Sequence, residues 1–361
     1  MHAHRSTLLE GDIAPQLRRL AAPVVWGLLS LSAFNIADTI FISRLGTLAL
    51  AALGFTMPLV LFFMGIIFGL SIGTTSALSR AYGGGDMSSV RRLATDSLVL
   101  AALLAVIAAL FAYFLAPHIF QLMGATDDVM PLIVGYMRIW CAGMPFLTIV
   151  MVGNACIRAT GDTRMPSVIM AVVAVINICL DPLFIFGWGP FPRMGFDGAA
   201  AAVAVSYGLT CTLALYILTA RQKALDSSPF HAGSLAAWAK VLHVGIPSVA
   251  SNMIMPLSAA VVTWMAADFG KEAVAALGVA TRIEGFIVIA FYALGTGVSI
   301  FTGQNFGAGN YGRISALVSI AARYALSYGA AVAAALWTYA DKIPLLFDRH
   351  PGVVSYTAQY L

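Results

Sequence analysis

The sequence predicts an all-α membrane protein of two lobes, and three observations carry that prediction. Sixty per cent of the 361 residues are hydrophobic and ten per cent charged, with a mean hydropathy of +0.89. Soluble domains run at about 45–50% apolar and about 25% charged. Long apolar segments recur, each able to cross a hydrocarbon core of about 30 Å as a helix rising about 1.5 Å per residue. The later part of the chain also repeats the earlier part at one constant offset.

The apolar segments fall at about 20–43, 51–79, 97–117, 130–156, 166–188, 198–219, 242–267, 273–302, 314–338 and from about 351 onward. That predicts nine spans and the start of a tenth. Clusters such as Gly83-Gly84-Gly85-Asp86, Gly161-Asp162 and Gly307-Ala308-Gly309-Asn310 punctuate them, and the short connections make neighbours antiparallel. The first segment is too long for the apolar core of a signal peptide and is read as a retained span. All four cysteines, Cys141, Cys156, Cys179 and Cys211, lie inside segments without Cys-x-x-Cys spacing, and the six histidines lie near segment ends. No disulfide, metal site, catalytic residue or cofactor is expected.

Alternation from the N-terminus gives one side twelve basic residues: Arg5, Arg18, Arg19, Arg80, Arg91, Arg92, Arg158, Arg164, Arg221, Lys223, Lys240 and Arg313. The other side receives five, Arg44, Arg193, Lys271, Lys342 and Arg349. By the positive-inside rule the N-terminus is expected in the cytoplasm of a bacterial inner membrane. The net charge of +4 reflects this loop bias, and no nucleic-acid patch is present in the pattern.

At an offset of 224, Pro23 matches Pro247, Gly46 matches Gly270, and Ala51-Ala52-Leu53-Gly54 matches Ala275-Ala276-Leu277-Gly278. The register persists through Gly73 and Gly297, Gly83 and Gly307, Gly85 and Gly309, Val129 and Val353, and Tyr136 and Tyr360. Six spans, an even number, separate the copies, so the lobes share one orientation about a pseudo-two-fold axis along the membrane normal. Residues 1–225 are read as the first lobe and 226–361 as the second. The counterpart of Thr219 would be position 443. The second lobe is therefore expected to be incomplete here, and these 361 residues to insert in a membrane without transporting.

Two acids stand out inside otherwise charge-free stretches: Asp38, between Leu20 and Ser43, and Asp181, between Met165 and Gly189. A carboxylate within the membrane costs about 2.5–3.5 kcal/mol on insertion scales, so it is rarely kept without a use. An acid near a helix end can instead snorkel to water. Asp38 lies 19 residues past Arg19 and Asp181 lies 17 past Arg164, so the two reach nearly equal depth and suggest one site. Asn177 precedes Asp181 by one turn, and Asn35 stands three residues before Asp38, so each acid is expected to have an amide neighbour on its side.

These stretches resemble the multidrug and toxic compound extrusion (MATE) family, its bacterial DinF-like branch in particular. The resemblance rests on Pro23 with Asn35-Ile36-Ala37-Asp38-Thr39, on Asn154-Ala155-Cys156-Ile157-Arg158-Ala159-Thr160-Gly161-Asp162, on Asn177-Ile178-Cys179-Leu180-Asp181-Pro182, and on Gly303-Gln304-Asn305-Phe306-Gly307-Ala308-Gly309. It implies a twelve-helix, monomeric antiporter that expels amphipathic, often cationic, compounds against H⁺ or Na⁺. By the same resemblance Asp38 and Asp181 are the coupling acids, Asn177, Tyr136 and Asn154 belong to the polar network of the first lobe, and Pro23 bends the first helix. Phe34 stands where some relatives have a tyrosine, which removes a hydroxyl from that network.

Other polar residues leave alternatives open. Arg282 and Glu284, spaced i, i+2, do not face each other, and Glu284 serves either a second-lobe cavity or an interhelical hydrogen bond. Arg138 packs or snorkels, and Arg323 is weaker still as a candidate. Met253, Met255 and Met265 line an adaptable surface or face lipid. The glycine runs at 83–85 and 307–309 lack the ending of a phosphate loop and read as turns. A flippase for lipid-linked oligosaccharides would want clustered cations in its cavity, where only Arg138, Arg282 and Arg323 are candidates. A membrane enzyme would want clustered His, Asp or Cys.

Overall fold

The computed structural model describes residues 8–221, 224–226, 233–340, 342–346 and 351–360. Arg5, Lys223 and Arg349 of the loop-charge reading lie outside these residues, as do the side chains of Arg221, Lys271 and Met255. The helices are α1 (Ile13–Ser43), α2 (Thr47–Gly83), α3 (Met87–Leu122), α4 (Met130–Ala159), α5 (Arg164–Phe186) and α6 (Phe196–Tyr216), the last prolonged by a π turn over Ile217–Arg221. Then come α7 (Ser234–Ala267), α8 (Lys271–Gly307), α9 (Tyr311–Tyr339) and the short α10 (Pro351–Tyr360). Nine of them are long and apolar enough to span a membrane, as the hydropathy pattern predicts.

Several helices outrun their apolar segments. The helix expected over 97–117 runs Met87–Leu122, and the one expected from 242 begins at Ser234. Hydropathy registers the hydrocarbon slab, whereas backbone hydrogen bonds carry a helix on into water. Asp86 caps α3, accepting from the Ser89 N–H at 3.1 Å. Gly46 and Gly270, repeat counterparts, open α2 and α8 at φ of +107° and +100°, a conformation that excludes most side chains.

Helix α1 packs on α5, α4 packs on α3 and α6, and α2 backs onto α4. Across the repeats, α2 meets α7 and α8, and α1 meets α8. Glycine makes these approaches possible, because in lipid close backbone packing supplies what hydrophobic contrast cannot. Gly65, Gly69 and Gly73 form one stripe of α2 against Met253, Val249 and Gly245 of α7. Met253 therefore fills a glycine notch between helices, rather than lining a drug surface or facing lipid.

The contacts between repeats obey the two-fold. A side chain on Gly83 would strike the Gln304 carbonyl, and one on Gly307 the Arg80 carbonyl; the offset of 224 turns one pair into the other. Gly303 lies against Ser79, a pair that maps onto itself and so sits on the axis. Likewise Gly73 meets the Val241 carbonyl while Gly297 meets Leu17. The arginine-rich helix ends gather at this sealed side, here called the basic end.

Candidate functional site

Asp38 and Asp181 approach one another at the end of the molecule opposite the basic end. Each lies five residues from its helix terminus, at Ser43 and Phe186, so each is about 8 Å in along its helix. Tyr136 enters at similar depth from the start of α4. The three side chains are near enough for Asp38 to act on Asp181, and for both acids to act on Tyr136. Asp181 is fully buried and Asp38 nearly so.

Asn177 organises Asp181. With its amide oriented by its neighbours, Nδ2 donates to Asp181 Oδ2 at 3.0 Å and Oδ1 accepts from the Val203 N–H of α6 at 3.1 Å. The one-turn spacing on α5 makes the first contact possible, and α6 decides the second. Asp38 is different: its Oδ1 is buried with no hydrogen-bond partner among the described residues. A buried carboxylate oxygen in that state is costly unless a proton or a cation meets it. Phe34, one turn before Asp38, is buried on the same face, so no hydroxyl is available there. Tyr136 stacks on Phe196, with ring centroids 4.7 Å apart.

Some expectations are corrected. Asn35 is exposed while Phe34 and Asp38 are buried, so it does not accompany Asp38; α5 takes the face bearing Asp38, and Asn35 lies just off it. Asn154 is fully buried but stands 18 residues beyond Tyr136 on α4, about 27 Å along the helix. It is near the basic end, with both amide atoms unpartnered among the described residues. Pro23 is not among these corrections: it lies inside α1, where the expected bend would fall.

Glu284 accepts a hydrogen bond from the Tyr360 hydroxyl at 2.9 Å, and Arg282 points elsewhere, to the exposed side. Arg138 lies over the Tyr113 ring at 5.3 Å, and Arg323 bonds back to Ser319 on its own helix. Sequence reasoning passed over Asp197. It sits in the first turn of α6, where an acid reads as a routine partner of the helix dipole, yet its Oδ1 is buried without a partner among the described residues. Its carboxylate covers Gly135, next to Tyr136. Two clefts lie away from this cluster: one of about 550 Å³ between α2 and α7, lined by Arg80, His243 and Asn252, and one of about 340 Å³ around Arg19 and Arg164.

Nine apolar spans among the described residues, an internal two-fold along the helix axes and a buried pair of carboxylates at one depth are the marks of a membrane transporter. The chain belongs to the MatE family, whose pattern matches residues 23–183 and 247–361. It is 36% identical over 99% of its length to a protein of Shewanella oneidensis called FAD transporter, covering 79% of that protein. A Bacillus subtilis protein, "Probable multidrug resistance protein YpnP", is 26% identical over 98% of this chain and 78% of its own. The crystal structure of the Vibrio cholerae MATE transporter VcmN in the bent form superposes with a TM-score of 0.90 at 30% identity, over 96% of this chain and 78% of that one.

Proposed function

We propose that this transporter is a cation-coupled exporter of the DinF-like branch, moving amphipathic compounds out of the cell against H⁺ or Na⁺ by alternating access between lobes 1–225 and 226–361. The observation that carries the reading is the pair Asp38 and Asp181, buried at one depth, with an oxygen of Asp38 unpartnered among the described residues. The basic end faces the cytoplasm, in accord with the excess of arginine there, and the acids lie toward the outside. A proton or sodium ion arriving from outside neutralises the pair and weakens its hold on a cationic substrate, so ion and substrate compete. Asn177 keeps Asp181 oriented, and Tyr136 borders the same cluster, with Asp197 over the neighbouring Gly135.

The substrate has a second reading, favoured by the similarity to the FAD transporter: an aromatic dinucleotide such as FAD. Among the described residues the cations that a flippase would want do not converge: Arg138 lies over Tyr113 and Arg323 bonds to its own helix. The test is transport by the full-length gene product in proteoliposomes under an imposed proton or sodium gradient, using a fluorescent lipophilic cation and FAD in parallel. Gradient-dependent movement of the cation supports multidrug export, and movement of FAD alone supports the second reading. No gradient-dependent movement of either would sink the coupling role of the acids.

A further inference from the structure

Helices α1 and α5 leave the basic end side by side, and there two guanidiniums stand in one cleft. Arg19 of α1 and Arg164, the first residue of α5, line the cavity of about 340 Å³ together with Asp162 and its neighbours. Neither guanidinium has an ion-pair or hydrogen-bond partner among the described residues. Asp162 has its Oδ1 occupied, accepting from the Arg164 and Met165 N–H groups at 2.9 and 3.1 Å. The lining thus carries two positive charges against one negative, and the N–H groups of the helix end are already taken. Arg19 and Arg164 directly precede the charge-free stretches that begin at Leu20 and Met165, so both lie where hydrocarbon gives way to headgroups. The flank that continues from them into the membrane is apolar. Gly27 meets Ser167 across the two helices. Because both helices run the same way, a step back to Trp26 and a step forward to Val168 turn to one flank of that contact. Arg19 stands two turns before Trp26, and Val168 and Val175 follow Arg164 by one turn and three, so the five line that flank. Trp26 is 71% exposed, Val168 53% and Val175 61%.

We infer that this flank is a binding site for a phospholipid with an anionic headgroup, its phosphodiester held between Arg19 and Arg164 and an acyl chain laid past Trp26, Val168 and Val175. Guanidinium N–H groups meet phosphate oxygens in charge-assisted pairs, and a basic pocket between helices at the membrane surface is the form such recognition takes. The apolar continuation suits an acyl chain, which a free phosphate lacks. The excess of positive charge in the cleft favours a singly anionic headgroup such as phosphatidylglycerol over zwitterionic phosphatidylcholine. The site lies on α1 and α5, the helices that carry Asp38 and Asp181, and it is independent of which compound the transporter moves and in which direction.

The test titrates the full-length gene product in detergent with phosphatidylglycerol and phosphatidylcholine whose acyl chains are brominated, so that they quench nearby indoles. Quenching present in the parental protein and missing from Trp26→Phe reports a chain seated on the flank. Phosphatidylglycerol should seat at least about fivefold more tightly than phosphatidylcholine, and Arg19→Gln and Arg164→Gln should each weaken it about fivefold, the effect of one cation beside an anionic lipid. Arg18→Gln removes an equal charge from an exposed neighbour outside the cleft and should change the affinity less than about twofold, within the context-dependence of one surface charge. Equal seating of the two lipids, or an equal loss in Arg18→Gln, would mark an ordinary boundary lipid and overturn the inference. Inorganic phosphate is the third arm: if it displaces phosphatidylglycerol at equal concentration, the chain contributes nothing, the cleft takes a soluble anion, and the lipid site is overturned as well. If a glutamine variant does not fold, Arg19→Lys with Arg164→Lys, which keeps both charges, should still prefer phosphatidylglycerol, and equal seating there has the same overturning force.

Discussion

Gly83→Ala tests the sealed basic end most directly. The new Cβ would stand 2.6 Å from Gln304 Cα, where carbon atoms normally rest at about 3.5–4.0 Å. The obstacle is backbone, not a side chain that can swing away, so α2 and α8 must part by about 1 Å. Overpacking of this kind costs about 1–3 kcal/mol, which falls on the sealed state alone. The equilibrium should therefore move about 5–150-fold toward a parted basic end. The assay is the rate of thiol labelling at Ser79→Cys, a position fully buried under the contact, in a cysteine-free background. Gly307→Ala, its two-fold mate, should accelerate labelling similarly, and the double variant by less than the product, because helices once parted accommodate both methyls. Gly54→Ala, with nothing within 4 Å of its new carbon, is the control. Labelling at the control rate in both interface variants would refute the sealed-contact argument.

Three further predictions follow the site and its supports. Asp38→Asn and Asp181→Asn should each abolish gradient-driven transport while leaving membrane insertion intact, since the amide keeps the shape but cannot titrate; transport at the parental rate by either would remove that acid from coupling. Asn177→Ala should cost about 1–3 kcal/mol, because Asp181 Oδ2 loses its donor in a buried place. Thermal unfolding in detergent measures it, and an unchanged Tm would show that water replaces the amide freely. Outside the membrane, hydrogen bonds from Ser89 and Ser88 hold the Asp86 carboxyl down at about 2. Folding stability from this cap is thus complete above the ordinary carboxylate value of about 3.9 and is lost as pH falls toward about 2; Asp86→Ala should lower stability at pH 7 and flatten the pH profile in that window.

The sequence carries information about the site unevenly. Counting residues from Arg19 to Asp38 and from Arg164 to Asp181 was enough to put both acids at one depth, because helix rise is constant and charged anchors mark the membrane surface. The one-turn link from Asn177 to Asp181 was also readable, since both partners share a helix. Asn35 was not: whether a residue three positions from Asp38 is covered depends on where α5 lies across α1, and spacing along one helix is silent on that. Asn154 was carried into the network by family likeness, although its distance from Tyr136 along α4 could have been counted.

What the sequence determined by itself, then, is whatever depends on one segment at a time: which stretches enter the membrane, how deep their polar residues sit, and the repeat at 224, which is a property of the letters. Tertiary structure alone decided which face meets which. It set Ser79 against Gly303 on the axis, filled the Gly65 notch with Met253, laid Asp197 over Gly135 beside Tyr136, and packed the start of α1 against α8 and α9. The physical reason lies in the solvent. In water an apolar stripe announces the buried face of a helix, but in lipid both faces are apolar, and partners are chosen by close packing and by polar groups whose mates are hundreds of residues away.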